Sequence, residues 1–230
     1  MSDPEFDSVA DQYDTELDKA LSVSGESKDY FARCRVNWLA ACLRKLHFEP
    51  RTAVDYGCGT GDTCGVLRST LQLQSVIGVD VSPRSLELAR ERNEDEACKF
   101  LSFADYRPSA DLDLGYCNGV FHHIAPSERA AAVAYIYRTL RPGGLFAFWE
   151  NNAWSPATRY VMARCSFDKE AVPVSPAEAK KLLRANGFEI LRTDFLFFFP
   201  SLLRPMRFLE PYLSRVPLGA QYLVMCRKPR

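Results

Sequence analysis

From residue 52 onward the chain alternates short apolar runs with longer stretches in which apolar residues recur every three or four positions. Thr52 to Tyr56, Ser75 to Asp80, Lys99 to Phe103, Asp113 to Asn118 and Leu145 to Trp149 have the length and apolar character of buried strands. The stretches between them predict helices near Thr63 to Leu71, from a Ser82-Pro83 start to about Asn93, and from Ser127, where Val133, Ile136, Tyr137 and Leu140 share one face. Such alternation predicts a parallel sheet with helices on both sides. Arg141-Pro142-Gly143-Gly144 stops the last of these helices and turns the chain into the fifth strand. Ser175-Pro176-Ala177-Glu178 spells a capping box for a further helix, closed by Asn186-Gly187. Phe188 to Phe199 and Gln221 to Arg227 read as a final antiparallel pair. The expected fold class is therefore α/β: a doubly wound, seven-stranded sheet, mostly parallel with an antiparallel last strand.

Ahead of the sheet the pattern is helical. Tyr30 to Leu46 carries Val36, Leu39, Leu43 and Leu46 on one stripe, and Pro50 marks its end. Ala20 to Asp29, with Ser22, Ser24, Gly25 and Ser27, predicts a mobile loop. Phe6, Val9, Ala10 and Tyr13 recur at helical spacing, so this segment has a face meant to dock. Residues 1–49 are read as an N-terminal helical cap, and 50–230 as the main domain.

The candidate chemistry is concentrated in residues 52–61. An apolar strand carrying Asp55 runs into Gly57, Gly59 and Gly61, which allow a sharp turn and a close backbone approach to a ligand. The helix that follows would aim its first amides at that ligand. A dinucleotide turn, G-x-G-x-x-G, needs a small residue at position 62, where this chain has Asp62. A carboxylate there suits a phosphate-free, positively charged sulfonium cofactor better than a pyrophosphate. Asp80 closes the second strand nineteen residues beyond Gly61, where an acidic side chain can accept both hydroxyls of a ribose.

Val54-Asp55-Tyr56-Gly57-Cys58-Gly59-Thr60-Gly61 resembles motif I of the class I S-adenosylmethionine-dependent methyltransferases. Asn118-Gly119-Val120-Phe121-His122-His123-Ile124 looks like motif IV of that family, and Leu140-Arg141-Pro142-Gly143-Gly144 before an apolar strand is similar to it as well. The resemblance covers roughly residues 50–228. It implies a Rossmann-like sheet with S-adenosyl-L-methionine across its carboxyl edge. Asp55, Gly57, Cys58, Gly59 and Gly61 would line that cofactor, with Asp80 and Val81 at the ribose and Ala104 and Asp105 at the adenine. Asn118 would offer its backbone carbonyl to the methionine amino group, and Tyr13 would touch the ligand from the N-terminal segment.

Methyl transfer needs the acceptor atom held in line with the carbon–sulfur bond, and a general base where the acceptor is a hydroxyl. His122 and His123, just past the fourth strand, are the candidates, of which one is expected to face the acceptor. Asn151, Asn152 and Trp154, after the fifth strand, are candidate walls of the acceptor site. The competing readings for His122 and His123 are caps or packing for the next helix.

Composition narrows the partners. Lys plus Arg, 29, balances Asp plus Glu, 29, so no long-range field attracts nucleic acid. Eight scattered cysteines without a C-x-x-C pair, and no signal-peptide pattern, predict reduced thiols and a cytoplasmic location; with three histidines, no metal site is expected. Phe195 to Leu209 is rich in Phe and Leu, but broken by Pro200, Arg204, Pro205 and Arg207, and too short to cross a bilayer. It reads either as a buried strand with a packed crossover, or as a lid or interfacial surface for a lipid-like acceptor. A small, partly apolar acceptor is the expected partner, and oligomeric state is left open. Two other functions stay in view: an NAD-dependent oxidoreductase on a related fold, and a catalytically silent, methyltransferase-like binding subunit.

Overall fold

The computed structural model describes residues 21–93, 95–163 and 171–230. The predicted helix around residues 6–14, and Tyr13 with it, lies outside them. Seven strands form one sheet in the order β3-β2-β1-β4-β5-β7-β6, with β1 at Thr52–Tyr56, β2 at Ser75–Asp80, β3 at Cys98–Ser102, β4 at Leu112–Asn118, β5 at Leu140–Asn151, β6 at Glu189–Leu196 and β7 at Gln221–Arg227. Strands β1 to β5 pair in parallel, and β7 runs antiparallel to both neighbours. After β3 the chain crosses back to the other side of β1. The carboxyl ends of β1 and β4 thus flank a topological switch point, where open α/β sheets bind ligands.

Among the described residues seven helices accompany the sheet: α1 Lys28–Lys45, α2 Asp62–Leu71, α3 Pro83–Arg92, α4 Arg129–Thr139, α5 Pro156–Met162, α6 Pro176–Ala185 and α7 Glu210–Leu213, the last preceded by a 3₁₀ segment at Ser201–Leu209. One face of the sheet buries Ala53, Leu114, Tyr116, Ala147, Trp149 and Leu223 against Val36, Leu39 and Leu43 of α1, Cys64 and Leu67 of α2, and Leu86 and Ala89 of α3. The other buries Val54, Cys117, Phe146, Phe148 and Val224 against Ala132, Val133 and Ile136 of α4 and Ala179 and Leu183 of α6. Helix α1 thus packs in this core through Val36, Leu39 and Leu43.

The capping signals act as written. Ser82 accepts from the Ser85 amide with Pro83 in the first turn, and Ser175 and Glu178 satisfy each other's backbone amides ahead of α6. Three expectations change. Of the predicted loop at 20–29, the described part, 21–29, is ordered into a 3₁₀ turn at Ser22–Ser24 and the start of α1, which the Ser27 side chain caps by accepting from the Tyr30 amide. Arg141-Pro142-Gly143-Gly144 lies inside β5 instead of ahead of it, because Leu140 already pairs with Leu112 and the amides of Gly143 and Lys228 bond to each other's strands across the bulge. Strand β6 stops at Leu196, since Phe197 turns to φ 65° and Glu210 takes the Phe198 and Phe199 amides at 3.1 and 3.2 Å.

The Phe- and Leu-rich stretch therefore divides. Phe195 and Leu196 are buried core, whereas Leu202 is 87% and Phe208 70% exposed on the 3₁₀ segment. That segment is tied back to the start of α1 by the Arg207–Glu26 ion pair at 2.8 Å and by Arg207 stacked over the Tyr30 ring. No helix among the described residues is long and apolar enough to cross a membrane.

Candidate functional site

The turn after β1 is shaped by its glycines. Gly57 has φ 72°, and its Cβ would lie 2.4 Å from Val120, so the turn presses against the loop that follows β4. Gly59, φ 52°, faces open space instead, with no atom within 4 Å of a Cβ there. This is where the backbone can meet a ligand. Gly57→Ala is expected to cost about 1–2 kcal/mol for a left-handed alanine, with the displacement of Val120 on top. Chemical denaturation measures this, and an alanine variant as stable as the parent would contradict it.

Around the turn stand the carboxylates. Asp80, at the end of β2, accepts the Gly59 amide at 2.8 Å and the Ser82 amide at 2.9 Å, which orients it toward the turn. Asp55 is buried and receives the Cys64 thiol at 3.5 Å. Burial pushes its carboxyl up to about 7, against the Cys64 contact and the Arg35 guanidinium that favour the anion, while the charge of Asp80 adds to the rise. The Cys58 and Cys64 thiols, also buried, are pushed well above their ordinary range. Asp62 opens α2 and is paired with Lys28 at 2.8 Å, so part of its charge is compensated from α1.

The end of β4 brings in the histidines. His122 is 4% exposed, and its Nδ1 lies 2.6 Å from Oε2 of Glu150, which is wholly buried near the end of β5. The second Glu150 oxygen accepts the Phe121 amide at 2.7 Å, and the Asn151 amide donates to the first at 3.2 Å. Burial works to raise the Glu150 carboxyl, but His122 and these two amides overcome it and hold the group below its ordinary value. His123 is half-buried, its ring centroid 4.1 Å from that of His122 and tilted 46° to it. The adjoining segment is fixed by Val172, whose amide donates to the His122 carbonyl at 2.8 Å.

The remaining candidates are spread along the same edge. Val81 is 39% exposed beside Asp80, and Ala104 and Asp105 are exposed beyond β3, where Ser102 donates to the Asp105 carboxylate at 2.7 Å. Asn118 closes β4, its side-chain oxygen buried and without a partner. Asn151 accepts from the Gln221 amide at 3.0 Å. Asn152, fully buried, donates to the carbonyls of Pro217 and Gly219 and accepts the Trp154 amide, so it clamps the loop before β7. Trp154 is half-exposed. Glu150, absent from the expected set, is the main addition.

S-adenosyl-L-methionine, the cofactor implied by the glycine turn, fits this edge. The open approach at Gly59, the oriented Asp80 carboxylate and the unpartnered polar atom of Asn118 supply room, an acceptor for hydroxyls and an acceptor for an amine.

Comparison with known proteins agrees. Residues 54–148 match the family model described as a methyltransferase domain. The chain is 31% identical over 148 residues to a trans-aconitate 2-methyltransferase of Methylobacterium radiotolerans, covering 63% of this chain and 56% of that protein. It is 34% identical over 110 residues to a cyclopropane-fatty-acyl-phospholipid synthase of Escherichia coli, covering 47% of this chain and 28% of the other. The chain thus spans about half the length, or less, of these relatives. Among solved structures, a chain in the complex between the Haloferax volcanii Trm112 methyltransferase activator and the putative methyltransferase superposes with a TM-score of 0.68 at 21% identity, covering 100% of this chain and 98% of that one. Strand order, glycine turn and family match converge on residues 54–148, which are similar to a methyltransferase domain.

Proposed function

We propose that the chain is an S-adenosyl-L-methionine-dependent methyltransferase acting on a small molecule, with its reaction centre above the carboxyl ends of β1, β4 and β5. The observation that carries this reading is the buried His122–Glu150 pair, set one strand away from the glycine turn. When bound, the cofactor supplies a methyl group on a sulfonium sulfur, already activated for displacement. The Gly59 backbone and Asp80 would hold its nucleoside, Asp105, Val81 and Ala104 would receive its base, and Asn118 would receive its amine. Glu150 accepts the Nδ1 proton of His122, which assigns proton uptake to Nε2 and stabilises the imidazolium that results. His122 then takes the proton that an acceptor hydroxyl or amine gives up as its heteroatom gains the methyl group.

The balanced charge of the chain supports a small acceptor over nucleic acid. So do the names of two relatives, which refer to trans-aconitate and to a fatty-acyl phospholipid. The test is thermal: S-adenosylhomocysteine should raise the melting temperature, because a ligand bound by the native state alone stabilises it by mass action. Stabilisation by NAD, with no response to S-adenosylhomocysteine, would favour the oxidoreductase reading instead. Asp80→Ala should weaken S-adenosylhomocysteine by roughly 1.5–3 kcal/mol, the range for hydrogen bonds to a charged group. Calorimetry reads this directly; an unchanged dissociation constant in a folded variant removes Asp80 from the site.

A further inference from the structure

Strand β6 runs antiparallel to β7, and β7 antiparallel to β5, so β6 ends on the same carboxyl edge as the parallel strands. Its last residue, Leu196, is in register with Gln221 and through it with Asn151. The chain that leaves β6 therefore starts on the edge that carries the glycine turn and His122. Asn152, one residue past β5, holds the far end of this segment by donating to the Pro217 and Gly219 carbonyls at 3.1 and 2.8 Å.

The segment is built inside out. Neither the 3₁₀ stretch Ser201–Leu209 nor α7 contains a buried residue. A 3₁₀ helix has three residues per turn, so side chains three apart stand in one row. Leu202, Pro205 and Phe208 have that spacing, and all three are exposed. Tyr212, 83% exposed, and Leu218, 59%, extend the apolar surface through α7 to the loop before β7. The polar groups of the segment turn the other way. Arg207 donates to the Phe199 carbonyl at 3.1 Å, pairs with Glu26 and covers the Tyr30 ring, while Glu210 accepts the Phe198 and Phe199 amides. Phe31 of α1 packs edge-on against Phe197, with ring centroids 4.9 Å apart. These contacts hold the backbone with its apolar side outward.

An exposed apolar face of this kind marks an interaction site, and its chemistry selects the occupant. Between residues 201 and 218 the exposed polar side chains are Arg204, Tyr212 and Arg215, and every other exposed position is apolar. Arg215 keeps 64% of its side chain exposed while donating to the Thr193 carbonyl. Both outward charges are thus positive, and the one acid of the segment, Glu210, is held by backbone amides. A protein partner is met through directional hydrogen bonds set among the apolar contacts. No exposed carboxylate or amide side chain is present here to make them. Leu and Phe flanked by Tyr and by cations of a single sign match a lipid interface instead: apolar side chains enter the acyl boundary, the phenol sits at the headgroups and arginines meet lipid phosphate.

We propose that residues 202–218 form a docking surface for an anionic lipid bilayer, which seats the carboxyl edge of the sheet against the membrane interface. Leu202, Phe208 and Leu218 enter the apolar boundary, and Arg204 and Arg215 contact lipid phosphate. The attachment is peripheral, because no helix among the described residues is long and apolar enough to cross a membrane.

Flotation of the full chain tests this with vesicles of phosphatidylcholine alone and of phosphatidylcholine mixed with an equal part of phosphatidylglycerol. No cofactor is added, so the result stands apart from the S-adenosylhomocysteine measurement. The chain is expected to float with the mixed vesicles, several-fold less with phosphatidylcholine alone, and to be released as salt rises. Leu202→Ser/Phe208→Ser should weaken binding by about tenfold or more, and Arg204→Gln/Arg215→Gln should remove the difference between the two vesicle types. Melting temperatures check that the variants are folded, and Tyr212→Ser/Leu218→Ser replaces the apolar pair if it misfolds. Wild type that stays in the soluble fraction with the mixed vesicles overturns the proposal. So does binding that the apolar variant retains in full, or binding that does not distinguish the vesicle types. Sedimentation of the lipid-free protein covers the other occupant: a dimer lost in Leu202→Ser/Phe208→Ser, without vesicle binding, assigns the face to a second copy and overturns the lipid assignment.

Discussion

Glu150→Ala is expected to remove about 3–5 kcal/mol of folding stability at pH 7, the cost of breaking a buried ion pair by taking away one partner. The carboxylate satisfies His122 Nδ1 and the amides of Phe121 and Asn151, all at a position with no solvent access. Truncation leaves each of those donors without an acceptor. Because the folded-state environment holds Glu150 below its ordinary value, its stabilising contribution is present at neutral pH and is lost as pH falls through the acid range. Glu150→Gln keeps the shape and one acceptor, so it should cost less. Urea titrations of Glu150→Ala, His122→Ala and the double variant should show a coupling of about 1–3 kcal/mol between the two positions. In turnover, each single variant should lose about 10²-fold or more, and the double variant little beyond that, since the two side chains act as one unit. Glu150→Ala with the stability of wild type, or additive losses, would show that the pair is neither structural nor cooperative.

Glu150 follows the apolar run Leu145 to Trp149 just as Asp80 closes the run before it, so a strand-end acid was visible. Its partnership with His122 was not. That contact joins residues 28 positions apart and exists because β4 and β5 pair with Asn118 opposite Trp149, a register that periodicity does not encode. The same limit applies to Arg35 on α1, whose hydrogen bonds to Tyr116 and Gln221 join residues 81 and 186 positions apart. Signals confined to a few neighbouring residues were legible: the glycine turn, the Ser82-Pro83 cap and the capping box at Ser175 all appear where local chemistry places them. By that rule helix α5 was available too, since Ser155-Pro156 repeats the same start signal and Ser155 accepts the Thr158 amide. The unexpected extent of β5 has another origin, a bulge whose partners are supplied by Lys228 at the far end of the chain.

Asp55 supplies the opposite electrostatic case to Glu150. It is 3% exposed, its side-chain partner among the described residues is the Cys64 thiol, and burial pushes it up to about 7. A folded-state value above the unfolded one, near 3.9 for a free Asp, means that the folded protein binds more protons between those two values. The group therefore favours folding at low pH, and that contribution is lost as pH rises from about 4 to about 7. Across the whole window the difference corresponds to roughly 4 kcal/mol at 1.36 kcal/mol per unit. Asn has nearly the shape of the protonated acid and never ionises. Asp55→Asn should match wild type closely near pH 4.5 and gain on it steadily, with about 2–3 kcal/mol of the gain appearing between pH 5 and pH 8. Referring each measurement to wild type at the same pH cancels the carboxylates of Glu150, Asp113 and Glu178, whose lowered values give the reverse trend. Urea midpoints of both proteins, taken at half-unit steps, decide it. A stability difference that stays flat from pH 5 to pH 8 would show that Asp55 is ionised throughout. A natural chain that keeps so costly a carboxylate must use its charge, and S-adenosylhomocysteine affinity is the place to look: the substitution that stabilises the empty protein at pH 8 should weaken ligand binding there, as expected when strain in the free site is repaid on binding.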